Sequence, residues 1–205
     1  MPKPKLHKHG PIKVGPDALM ERPKIASAMM YLISAWSGLE QNIAGMFAML
    51  LDGELSDAFN IFHSFHDIQI RKRIFDEVAS ELLSQTLKEE IELHFKELRK
   101  VGWLRHEIAH GQWGVSDLYP DCVLLVDWKE ITKNLVTGYR IIIFEGASKI
   151  EPDHVFKNLA VQRYYLEDFK AYGLELVRLS NATHSLAARI AREVLVSKGR
   201  RLPEA

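Results

Sequence analysis

Four side chains able to do chemistry fall between Arg105 and His110: Arg105, His106, Glu107 and His110, in the run Trp103-Leu-Arg-His-Glu-Ile-Ala-His-Gly-Gln-Trp113. Read from His106, the run is His-Glu-x-x-His. Two imidazoles at that spacing can hold a zinc ion while the carboxylate between them polarises a metal-bound water. Read from Arg105, it is an Arg, four residues, then a His, with a polar residue directly after the Arg. The two parses name different chemistries.

The chain before the motif must position it. Leu87, Ile91, Phe95, Leu98, Val101, Leu104 and Ile108 recur at steps of three or four, the pattern of one amphipathic helix. Gly111 or Gly114 is its expected stop. The motif is therefore the end of a helix, with His106 and His110 on one face. Arg105 and His110 stand about 140° apart around such a helix and flank a ridge. Spacing alone favours the metal pair.

Composition bounds the rest. Lys+Arg and Asp+Glu balance to a formal net charge of zero, so any contact with RNA must come from a local patch. The single cysteine, Cys122, cannot form an intramolecular disulfide and fits a reducing, cytoplasmic compartment. No apolar run has the length to span a bilayer, and the N-terminus has no signal-peptide core. Residues 1–22 read as a mobile basic arm, 23–198 as one globular domain and 199–205 as a tail.

In chain order, Pro23 opens a long helix marked by Met29, Leu32, Ile33, Trp36, Leu39, Ile43, Met46, Phe47 and Leu50, ending at Asp52-Gly53. Glu40 lies within its apolar stripe, where a carboxylate needs a cation, hydrogen bonds or an edge open to solvent. Ser56 or Asp57 caps a second helix through Ala58, Ile61, Phe62 and Phe65, with His63 and His66 nearby. A third carries Ile74, Phe75, Val78 and Leu82, and its Arg71-Lys72-Arg73 cluster reads as a solvated face. After the motif, 122–128 and 139–145 are short, β-branched and aromatic, and read as strands around a loop at Gly138; 155–161 adds a third. This predicts a small antiparallel sheet over about 121–161. A long helix from Tyr165 to Val194 closes the chain.

For a zinc metallopeptidase, His106 and His110 are ligands, Glu107 is the base, and Glu130, twenty residues after His110, is the third ligand. Glu130 follows an expected strand and so falls in a loop. Gly111-Gln112 after His110 is atypical, and the chain upstream is helical where zinc peptidases have a sheet.

The other parse resembles the HEPN superfamily. Its members carry an Arg, four to six residues, then His, with Asn, Asp or His after the Arg; Leu104-Arg-His-Glu-Ile-Ala-His-Gly111 is similar to that motif, with His106 where Asn is commonest. Trp36 and Glu40 on a first helix, two further helices, a long motif helix and a closing helix also match across about 24–197. The resemblance implies a mainly α, HEPN-like bundle of about five helices with the small sheet inserted before the last. It implies a metal-independent endoribonuclease, cofactor-free and homodimeric, leaving a 2′,3′-cyclic phosphate. Such enzymes occur in toxin–antitoxin and phage-defence systems, so RNA and an antitoxin protein are the implied partners. In that reading His110 moves the proton, Arg105 holds the phosphate, and His106 orients the Arg or the phosphate. Glu40 holds the Arg105 guanidinium from the first helix. A third reading is a non-catalytic HEPN interaction or nucleotide-binding module, with Arg105 and Glu40 as a structural ion pair and His110 beside the helix dipole.

Overall fold

The computed structural model describes residues 3–7, 9–51, 54–65, 67–145 and 159–199. Asp52-Gly53, His66, positions 155–158 of the expected third strand and the tail from Arg200 lie outside them. The described residues are mainly helical with a small antiparallel sheet, but carry seven helices against the five expected. The helices are α1 (Pro16–Met20), α2 (Pro23–Leu51), α3 (Leu55–Ser64), α4 (Ile68–Ala79), α5 (Gln85–His110), α6 (Trp128–Glu145) and α7 (Leu166–Ser197). The strands are β1 (Lys13–Val14), β2 (Gln112–Val115), β3 (Cys122–Val126) and β4 (Val161–Tyr165). Among the described residues, no helix is long and apolar enough to cross a membrane. The chain divides into two compact units, Met1–Ile33 with Trp103–Tyr172 and Ser34–Gly102 with Gly173–Ala205.

The first unit is built on the sheet, in the order β1-β2-β3-β4, every pair antiparallel. Strand β3 is buried throughout, which explains its unbroken apolar run: both faces are covered. Cys122, Leu124 and Val126 join Ile12, Leu159 and Val161 in one cluster, with Leu6, Val14, Tyr119 and Ile131 against it. On the alternate positions, Leu125 pairs with Trp113 and Val123 with Tyr164. Trp113 and Tyr164 meet edge to face at 5.4 Å, and Phe169 lies 6.0 Å from each.

Residues 1–22 do not form the expected mobile arm where they are described. Leu6 exchanges backbone hydrogen bonds with Val161 at 2.8 and 2.9 Å, and β1 pairs with β2. The buried His9 ring lies between the carbonyls of Gly10 and Leu159, at 2.7 and 3.0 Å. Leu6, Ile12 and Val14 bury against the sheet, which outweighs the local Pro/Gly/Lys composition.

The segment 139–145, expected as a strand, is the second half of α6. Ile141-Ile-Ile-Phe is β-prone locally. Across the element, however, the inward residues Ile131, Asn134, Gly138 and Ile141 step by three or four, the helical period. Asp127 starts the helix by accepting from the Lys129 backbone N–H at 3.0 Å. Glu130 is therefore in a helical first turn, not a loop. The third strand lies later than expected, at Val161–Tyr165, and takes Tyr165 from the closing helix. Strand β2, directly after the motif, was not expected at all.

The second unit is helical. Phe47 meets Phe62 and Phe75 at 6.2 and 6.4 Å, and Phe75 meets Phe95 at 6.0 Å, knitting α2, α3, α4 and α5. The Trp36 ring lies over Gly102, where a Cβ would stand 3.1 Å from it. Buried Leu87, Ile91, Phe95 and Leu98 keep the predicted stripe of α5. Inside this core His94 donates from Nε2 to the Thr183 hydroxyl at 2.8 Å, because that hydroxyl spends its own proton on the Leu179 carbonyl at 2.9 Å.

Candidate functional site

The end of α5 is fastened to the sheet. The Glu107 carbonyl accepts from Gly111 N–H at 2.7 Å and from Trp113 Nε1–H at 2.9 Å. A Cβ on Gly111 would stand 2.4 Å from the Glu107 oxygen and 2.6 Å from Leu125 Cδ1, so the turn needs glycine. His106 and His110 project from this end as exposed side chains, with ring centroids 4.9 Å apart.

They line a cleft of 640 Å³ together with Trp103, Glu107, Gln112, Asp127, Trp128, Lys129, Gln162 and Lys5. The far wall follows from strand register. Gln112 is opposite Val126 as the last pair of the β2–β3 ladder, so Asp127 and Trp128, which follow β3, leave the sheet at the end where α5 enters it. Lys5 reaches this wall through the Leu6–Val161 bridge and pairs with Asp127 at 2.9 Å. The hydrogen bond from Lys5 is the main cause holding the Asp127 carboxyl below its ordinary range, and the same contact raises the Lys5 ammonium.

Of the expected site residues, His106 and His110 are brought together on the cleft. Arg105 is not among its lining residues. It is half-buried, and its buried Nε has no hydrogen-bond partner among the described residues. Its neighbour is Tyr172, whose hydroxyl burial pushes well above the usual phenol range while the Arg105 backbone and charge act the other way.

A cation stands beside Glu40: Arg71, at 3.5 Å. Arg71 comes from the cluster read as a solvated face, yet its side chain is only 9% exposed. Its guanidinium lies 4.4 Å over the Phe62 ring, and its Nε donates to the Phe65 carbonyl at 2.5 Å. Glu40 thus does have a cation, within the helical unit.

The alternative zinc set is not assembled. Among the described residues no three or more His, Cys, Asp or Glu side chains are grouped to hold a metal ion. Glu130 instead accepts the Ala160 backbone N–H at 2.5 Å. Lys5, Trp128, Lys129 and Gln162 were not anticipated as cleft residues. Comparison with protein-family models, curated proteins and solved structures finds no match to this chain.

Proposed function

We propose that the chain is a metal-independent endoribonuclease of the HEPN type, with His106 and His110 as its proton-transfer pair. The observation that supports it best is the placing of the two imidazoles, 4.9 Å apart, on the wall of a 640 Å³ cleft that also holds two lysines and two tryptophans. In the step proposed, the ribose 2′-oxygen attacks the adjacent phosphorus and the bond from phosphorus to the 5′-oxygen breaks. One neutral imidazole takes the 2′-hydroxyl proton and one protonated imidazole gives a proton to the leaving oxygen. Imidazoles supply both forms near neutral pH. The products are a 2′,3′-cyclic phosphate and a 5′-hydroxyl.

Lys5 and Lys129 take the place at the phosphate that the motif alone assigned to Arg105. Arg105 becomes a positioning residue on the flank of the same helix. The homodimer and the antitoxin protein implied by the resemblance belong to this proposal, and light scattering at micromolar concentration tests the first. A second reading, a nucleotide- or partner-binding module without catalysis, is favoured by one observation: Arg105 does not line the cleft. RNA cleavage in the presence of chelator, with the product ends identified and His110→Ala beside wild type, separates the two. Cleavage that requires an added divalent ion, or that survives His110→Ala, overturns the proposal.

A further inference from the structure

Trp128 is 59% exposed, whereas Trp36 and Trp113 are 6% and 4% exposed. Its ring contributes little to the core, yet its backbone is firmly placed. It follows β3 directly and sits at the first position of α6, behind an Asp127 whose two carboxylate oxygens are held by Lys129 N–H at 3.0 Å and Lys5 at 2.9 Å. It shares the cleft with His106 and His110.

The charges of that cleft limit what can bind there. Among the described residues, its fixed cations are Lys5 and Lys129, and its fixed anions are Glu107 and Asp127. These cancel, so counterion release alone gives a nucleic-acid backbone little affinity for the site. An aromatic face can supply what charge does not, because every base has a π-face to stack on it. In a duplex those faces are already covered by neighbouring base pairs, and only an unpaired base can leave the stack for a protein ring.

We propose that Trp128 is a base-stacking platform that makes this a site for single-stranded RNA, seating an unpaired base beside the phosphodiester presented to His106 and His110. This rests on the ribonuclease reading for the identity of the strand. The aromatic subsite itself is tested without cleavage.

A short 2′-deoxy oligonucleotide lacks the attacking hydroxyl and reports binding only. Titrated into the full-length protein, it should quench tryptophan emission, with weak dependence on salt. Trp128→Ala should weaken its binding by about five- to a hundredfold. Trp128→Phe should keep most of the affinity, since a phenyl ring still stacks, while losing the part of the quench that Trp128 rather than Trp103 of the same cleft supplies. Circular dichroism should show both variants folded, because the ring is exposed. Unchanged affinity in Trp128→Ala, a duplex of equal length bound as tightly as the single strand, or no binding by wild type each overturns the platform. If the deoxy strand binds through Trp128 but wild type cuts no RNA, the cleavage reading fails and the platform stands. If His110 governs cleavage but Trp128→Ala leaves KM and affinity unchanged, the platform alone fails.

Discussion

Helix α5 holds histidine in two settings. In its middle, His94 is 5% exposed, and the Thr183 hydroxyl fixes its tautomer. Burial pushes its pKa below the ordinary imidazole value. At the end of the same helix, His106 and His110 are exposed, face each other at 4.9 Å and open onto a cleft. Residue type is the same and the helical register is comparable. What differs is access to water and to exchangeable protons. A satisfied, dry imidazole is a structural part, while an exposed pair beside lysines and tryptophans is available for proton transfer.

The largest expected effect lies at the exposed pair. His110→Ala should lower RNA cleavage by about a hundred- to ten-thousandfold and leave the melting temperature nearly unchanged. A single-turnover assay beside a thermal melt reads both. A large loss of stability instead would make the two settings alike.

His94→Ala should do the reverse. It should cost about 2–3 kcal/mol of stability through the vacated space and the lost bond to Thr183, read by urea titration, while cleavage by the folded fraction persists. The same residue sets a pH dependence. The native pKa is lowered from the ordinary 6.5, so below that pH the unfolded chain binds a proton that the native chain does not. Stability should therefore fall as pH drops below about 6.5 and continue falling until the native pKa is passed. In His94→Gln that portion of the slope should vanish; an identical slope would place its origin elsewhere.

Gly111→Ala sharpens the comparison from the side of the scaffold. The added methyl meets the Glu107 carbonyl and Leu125, and overpacking of this kind costs about 1–3 kcal/mol. Because the displaced turn carries His110 toward β2, KM should rise as well as the urea midpoint fall. An unaltered KM would mean that the His pair does not depend on this junction.

The smallest effect is expected at Glu40. Its partner Arg71 is also held by Phe62 and the Phe65 carbonyl, and Glu40 itself is 31% exposed at its side chain. Glu40→Gln should cost at most about 1 kcal/mol, reduced further by salt, and leave cleavage unaltered. A cleavage defect larger than the stability loss would tie Glu40 to the catalytic chemistry despite its Arg71 pair.

Several features were legible in the sequence because their cause is local. The stripe of α5 through Leu87, Ile91, Phe95, Leu98, Leu104 and Ile108 repeats every three or four residues, and burial follows it. That period places His106 and His110 on one face, and their rings lie 4.9 Å apart. The continuous apolar run of β3 marks a strand covered on both sides. The place of Glu40 on the α2 stripe left a cation, hydrogen bonds or a solvent-open edge, and the side chain has both an Arg71 partner and partial exposure.

Tertiary structure decided the rest. Which cation meets Glu40 depends on how α4 lies against α2, and local periodicity does not distinguish Arg71 from Arg105. The Ile141–Ile143 run was free to be strand or helix until Asp127 capped α6 and Ile131 found the sheet. The far wall of the cleft depends on contacts between the two ends of the sequence. Leu6 bridges Val161, and Gln162 donates to the Lys3 carbonyl at 2.5 Å across a separation of 159 residues. Hydrophobic periodicity records which face of an element is buried, but not which distant segment buries it. Lys5 and Gln162 therefore reach the histidines only once the sheet has closed.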